Sequence, residues 1–162
     1  QNYAEAAQWL QKAKQVNNNA PEVNTNQALM ALRDGDVQKA ETLLAMGSGA
    51  KTYNSMLGAL NIAKGNYTQA AINLAKADTN TEALAELLNN DYVSASQTLD
   101  AIKKGDATTD YLRAILAART ENPTLLASSL KAAFEKDASL KSRAKNDLEF
   151  TKYASILAGL VK

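Results

Sequence analysis

Apolar residues recur along this chain at helical spacing, and the pattern itself repeats. Over residues 53–77, Leu57, Leu60, Ile62 and Ala63 fall on one helix face, because residues three and four apart are neighbours on a helix surface. Lys64-Gly65-Asn66 interrupts the period, with glycine where a helix end favours positive φ. Tyr67, Ala70, Ala71, Leu74 and Ala77 then restart it. The stretch predicts two short amphipathic helices joined by a tight turn. Gly58 lies inside the first of them, where glycine costs about 1 kcal/mol relative to alanine. A close approach of the second helix, at Ala70 or Ala71, is the expected compensation.

Four weaker copies of the second half occur elsewhere. The residues opening the five second helices are Tyr3, Val37, Tyr67, Tyr92 and Pro123, with spacings of 34, 30, 25 and 31 residues. Three residues on stand Ala6, Ala40, Ala70, Ala95 and Leu126, and seven on stand Leu10, Leu44, Leu74, Leu99 and Leu130. The five leucines are therefore expected at helix–helix contacts. Two residues before the last four anchors come Gly35, Gly65, Asn90 and Glu121, and one before come Asp36, Asn66, Asp91 and Asn122. Gly, Asn and Asp are turn and N-cap residues, so the punctuation repeats with the apolar period.

In chain order this predicts a second helix over 3–16 that lacks its first, then a loop at 17–21. Helices follow over 24–33 and 37–46, with a flexible Gly47-Ser48-Gly49 after them. After the central unit come helices over 81–88 and 92–104, then 109–120 and 123–136, where Pro123 suits a first helical position. Residues 137–162 depart from the pattern. There Leu148, Phe150, Tyr153, Ile156, Leu157 and Leu160 suggest a terminal helix covering an open end. The expected organisation is a repeat region over 1–136 and a capping segment over 137–162, cut from a longer array. A buried leucine contributes roughly 1.5–3 kcal/mol against an ordering cost of about 1–2 kcal/mol per residue. One hairpin is thus too little to stand alone, and neighbours must pack together.

Leu57-Gly58, Gly65-x-Tyr67, Ala70-x-x-x-Leu74 and Ala77 together resemble the tetratricopeptide repeat, with Asn54 and Asn61 where that family favours Trp and Tyr. The resemblance implies an all-α fold, a right-handed stack of antiparallel helical hairpins with a C-terminal capping helix. It also implies a scaffold that binds a protein or peptide on the concave face lined by the first helices. A structural spacer or an oligomerisation segment without a groove is the alternative.

Composition narrows the function classes. The chain has 162 residues, 46% of them apolar, and a net charge of +1 from 18 basic and 17 acidic side chains. That content excludes disorder, and such a balance gives no field favouring nucleic acid. No apolar run approaches a membrane span. With neither cysteine nor histidine, disulfides, thiolate sites, the common zinc sites and Ser-His or Cys-His nucleophiles are excluded. The Asn-rich, Cys-free composition leans toward an exported or cell-envelope bacterial protein.

Candidate chemistry thins out on inspection. Residues 46–52 (MGSGAKT) are similar to a phosphate-binding loop, but Ala50 separates Gly49 from Lys51 and no strand precedes them. They read as a helix-to-helix linker. Ser128-x-x-Lys131 and Ser142-x-x-Lys145 match the spacing of serine-lysine acylases without the companion motifs. Glu82 and Glu86, one turn apart, read as solvated charges, and Trp9 as core. Asn66-Tyr67-Thr68 fits a glycosylation acceptor only in a eukaryotic secretory setting. The chain is expected to be no enzyme and to need no cofactor. Its partner is a protein or peptide, with homo-oligomerisation also open.

Arg33 and Arg119 hold the same repeat position, four residues before their anchors. The resemblance puts both beside the groove, with Asn26, Tyr53, Asn54 and Tyr111 toward the starts of first helices. Arg and Tyr are enriched at binding hot spots, and an Arg fork suits the carboxylate of an acidic or C-terminal peptide.

Overall fold

The computed structural model describes residues 3–161, and among them every regular element is helical. In chain order these are α1 (Tyr3–Val16), α2 (Pro21–Arg33), α3 (Val37–Ala45), α4 (Tyr53–Ala63), α5 (Tyr67–Leu74), α6 (Asn80–Leu88), α7 (Tyr92–Ala101), α8 (Ala107–Arg119), α9 (Pro123–Lys136) and α10 (Leu140–Lys145). A 3-10 helix (Leu148–Tyr153) and α11 (Ala154–Leu160) follow. The chain forms two compact units, Gln1–Ala75 and Lys76–Lys162. The first holds α1 and the hairpins α2–α3 and α4–α5. The second holds the hairpins α6–α7 and α8–α9 and the C-terminal helices.

The hairpin turns repeat in detail. Gly35, Gly65, Asn90 and Glu121 all have positive φ, of 81°, 75°, 60° and 56°. Each donates its N–H to the carbonyl three residues back, and the next residue donates to the carbonyl five back: Asp36 to Ala31, Asn66 to Asn61, Asp91 to Glu86 and Asn122 to Ala117. This is the paired bonding of a Schellman C-cap, which satisfies carbonyls that a helix end would otherwise leave bare. Three of those residues then cap the following helix by accepting from a backbone N–H, Asp36 from Lys39, Asp91 from Ser94 and Asn122 from Leu125.

Inside each hairpin a small residue nine positions before the anchor completes the pattern: Ala28, Gly58, Ala83 and Ala114, all buried. Leu44, Leu74, Leu99 and Leu130 are buried too, as expected. The close approach expected at Gly58 is present, but its partner is Leu74 rather than Ala70 or Ala71. A Cβ there would collide with Leu74 Cγ and lie 2.7 Å from both its methyl groups.

Several expectations are corrected. α1 buries no residue, Leu10 is only half-buried and Trp9 is 61% exposed. In the other second helices the positions three and seven residues past the anchor are buried. Gly47 is buried rather than flexible, because its carbonyl accepts from the Thr25 hydroxyl (3.3 Å) and a Cβ would strike Thr25 Oγ1. α5 ends at Leu74 instead of Ala77. The Glu82 carboxylate, 3% exposed, accepts from the Lys76 and Asp78 amides at 2.7 Å each, holding both residues at positive φ. Neither Glu82 nor Glu86 is solvated.

The segment expected as one terminal helix is three short ones. The 3-10 turn puts Phe150 and Tyr153, three residues apart, on its buried side, since side chains at that spacing eclipse. Leu148, expected inside, is 88% exposed.

Candidate functional site

In the first unit, α1 lies along α2 and leaves a cleft that divides into two cavities of about 370 Å³, sharing Leu10 and Met30. One is bordered by Ala6, Trp9, Ala13, Asn26 and Leu29, and the other by polar residues including Lys14, Asp34 and Lys39. Asn26 is thus exposed at the cleft edge. Arg33 is exposed, pairs with Asp34 at 2.6 Å and stacks 4.9 Å from the Tyr3 ring centroid. At the start of α4, Tyr53 is half-buried and Asn54 exposed. Trp9 and Leu29, which sequence reasoning did not nominate, are the large apolar side chains open on this cleft. Leu29 stands four residues before Arg33 on the same helix face, a signal available from spacing alone.

In the second unit, the starts of the first helices α6 and α8 meet α10. Asp106 accepts from the Thr109 amide (2.9 Å), its own amide donates to the Thr109 hydroxyl, and that hydroxyl donates to Asn80 Oδ1 (2.8 Å). This capping box fixes the α8 start against the α6 start. Between them opens a cavity of about 240 Å³ whose apolar wall includes Leu84, Leu112, Ile115 and Leu140, with Asn80, Thr81, Thr108 and Arg143 as its polar edge. Tyr111 forms part of the wall and is 2% exposed. Its hydroxyl donates to Asp147 Oδ2 at 2.8 Å, and its ring meets Phe150 edge-on at 5.5 Å. Burial, reinforced by the Asp147 carboxylate, holds this phenol well above its usual pKa, so it stays a neutral donor.

Arg119 faces inward. Its Nε and Nη2 donate to the two Glu149 oxygens at 3.0 and 2.5 Å, and Nη1 donates to the Leu87 carbonyl at 2.5 Å. The Glu149 carboxylate raises its already high pKa. The fork is therefore spent on fastening the 3-10 helix to α8. Tyr153 adds a further tie, its hydroxyl donating to the Ala118 carbonyl at 3.1 Å. Among the nominated residues the structure brings Tyr111 and Arg119 onto one helix, while Asn26, Arg33, Tyr53 and Asn54 belong to the other unit.

Arg143 is the cation that sequence reasoning missed. It is exposed, sits 5.1 Å from the Tyr111 ring centroid and has no carboxylate within ion-pair distance among the described residues. Lys141 and Lys145 share its helix, which carries no acidic residue. A guanidinium over an aromatic ring at the edge of an apolar cavity can take a carboxylate while the cavity takes an aliphatic group.

Glu86 is buried in the α6–α7 hairpin with one carboxyl oxygen lacking a hydrogen-bond partner. Burial raises its pKa, opposed by the Thr98 hydroxyl and aided by the Glu82 and Asp91 charges. The α4–α5 hairpin fills the same repeat positions with Asn61 and Asn73, joined by a hydrogen bond of 3.0 Å. These are internal hairpin contacts. Among the described residues no group of three or more His, Cys, Asp or Glu side chains could hold a metal ion, and no helix is long and apolar enough to cross a membrane. No family model, curated protein or solved structure matches the chain.

Proposed function

We propose that the chain is a protein- or peptide-binding scaffold built from tetratricopeptide-like hairpins, acting without catalysis. The hairpin reading rests on the Schellman turns at Gly35, Gly65, Asn90 and Glu121 and on the small buried residue nine positions before each anchor. The observation that carries the binding reading is the cavity of about 240 Å³ on the first-helix side of α6 and α8, edged by Arg143. Its partner is a segment offering an aliphatic side chain beside a carboxylate, from an acidic residue or a chain end. Tyr111 forms the cavity wall, and Arg119 positions that wall through Glu149.

Selection of a displayed random peptide library against the immobilised chain tests this. Enriched peptides should pair an aliphatic residue with an acidic or terminal carboxylate. Arg143→Glu, at an exposed position, should weaken them about tenfold or more, a charge reversal beside a partly desolvated carboxylate, while leaving thermal melting unchanged. Equal binding by the variant, or no enrichment, would remove the cavity from consideration.

A further inference from the structure

Of the four arginines in the chain, Arg143 alone makes no ion pair among the described residues. Arg33 is paired with Asp34, Arg113 with Asp100 and Arg119 with Glu149. Yet a carboxylate is at hand for Arg143. Asp147 lies four residues on, and both side chains meet the same ring. The Arg143 guanidinium is 5.1 Å from the Tyr111 ring centroid, and the Tyr111 hydroxyl donates to Asp147 Oδ2 at 2.8 Å. The phenol feels both charges: beyond the effect of burial, the Asp147 carboxylate raises its pKa and the Arg143 guanidinium lowers it.

The hydrogen bonding of Asp147 keeps the two charges apart. Its Oδ2 is taken by the Tyr111 hydroxyl and its Oδ1 by the Glu149 amide at 3.1 Å. Both donors are neutral and fixed in place. Tyr111 is buried edge-on against Phe150, and Glu149 is itself held by Arg119. A carboxylate satisfied at both oxygens gains little from a further cation, and an exposed arginine would lose side-chain freedom in reaching it. Arg143 therefore stays over the ring face at the cavity edge.

We propose that Tyr111 is a positioning residue whose hydroxyl occupies Asp147, so that Arg143 stays free to receive the carboxylate of the bound segment. The proposal rests on the peptide-binding reading of this cavity and says what makes its arginine available. Ring and hydroxyl then have separate tasks: the ring holds the guanidinium by its face, and the hydroxyl removes a competing carboxylate. Phenylalanine would keep the first task and lose the second. Asp147 Oδ2, half-buried and without a donor, would then draw in the nearest free cation. A bond that merely fastened the 3-10 helix to α8, as Tyr153 does through the Ala118 carbonyl, would behave differently. Its loss would loosen the cavity wall, and removing the Asp147 charge would restore nothing.

The probe is N-acetyl-leucine, an aliphatic side chain beside one carboxylate, with N-acetyl-leucinamide as the uncharged control. Binding to the full chain is titrated through the methyl resonances of Leu84, Leu112 and Ile115, which line the cavity, and every variant is melted alongside. The parent should bind the acid about tenfold more tightly than the amide, and Arg143→Glu should weaken the acid about tenfold. Tyr111→Phe should weaken it about tenfold as well, because Asp147 then takes Arg143. Asp147→Asn alone should not weaken it. Tyr111→Phe/Asp147→Asn should return it to within about threefold of the parent, the non-additivity of coupled side chains. Parent-like binding by Tyr111→Phe overturns the proposal, as does weaker binding by Asp147→Asn with unchanged melting. A double variant as weak as Tyr111→Phe also overturns it, leaving the Tyr111–Asp147 bond a structural tie only. In these cases the loss in Arg143→Glu keeps the peptide-binding reading standing. A parent that binds neither probe, or both equally, overturns that reading and the proposal with it.

Discussion

Gly58 illustrates how one missing methyl group sets a helix crossing. Ala28, Ala83 and Ala114 fill the same position in the other hairpins, so a Cβ is admissible there when the opposing leucine stands off. In the α4–α5 hairpin the Leu74 side chain occupies that space. Gly58→Ala should therefore destabilise by about 1–3 kcal/mol through overpacking, although alanine is the better helix former by about 1 kcal/mol. Leu74→Ala alone should cost about 2–5 kcal/mol, and in the double variant the Gly58 penalty should vanish. Chemical denaturation of the four proteins measures the coupling, and strictly additive effects would place Gly58 out of Leu74's reach. The left-handed turn positions give a change of opposite sign. Glu121 holds φ 56° without being glycine, and its exposed pair with Lys152 is of the kind worth little. Glu121→Gly should stabilise by a few tenths to about 1 kcal/mol, the left-handed strain relieved less the greater freedom of the unfolded chain. A lower melting temperature would show that the Lys152 pair outweighs the strain. These turns were legible in the sequence because Gly, Asn and Asp recur two and one residues before each anchor. The Gly58 partner was not, since i, i+3 spacing fixes a face but not the rotamer that fills a gap.

At the scale of elements, boundaries follow local hydrogen bonds that composition does not reveal. The α8 start was expected at Thr109 and lies at Ala107, because the Asp106–Thr109 box closes the first turn. The α5 end was missed because Glu82, read as a surface charge, reaches the Lys76 and Asp78 amides from the next helix. Arg119 and Tyr111 were nominated by residue type as partner-binding groups. The acceptors that engage them, Glu149 and Asp147, lie 30 and 36 residues away, and nothing in the repeat register announces that pairing. The α6–α7 hairpin carries a pH dependence of its own. Glu86 has its pKa raised by burial from an ordinary value of 4.5, so folding favours the protonated form. Its contribution to stability is then fully present below about pH 4.5 and is lost as pH rises through the raised value. Glu86→Gln keeps the shape and removes the ionisation. Its melting temperature should match the parent at acid pH and exceed it increasingly toward neutrality. A parallel pair of curves would mean that Glu86 titrates alike in the folded and unfolded chain.

Over the whole molecule, burial is unevenly shared, and that predicts where it opens first. The core cluster of the first unit consists of Ala28, Ala31, Ala40, Leu44 and Leu60, three of them alanines. The second unit's cluster spans α6–α9 and the C-terminal helices and includes Tyr111, Leu126, Leu130, Phe134 and Phe150. Nine of the 13 residues of α8 are buried, against none of the 14 in α1. Apolar burial stabilises by roughly 25 cal/mol per Å², and alanine brings far less area than leucine or phenylalanine. The ordering cost per residue is about the same everywhere. Local opening free energies should therefore rise from α1 through the α2–α3 and α4–α5 hairpins to α8 and α9. Native-state hydrogen exchange measures this amide by amide. The α1 amides should exchange fastest and those of α8 and α9 slowest. Protection of α1 equal to that of α8 would contradict the burial argument.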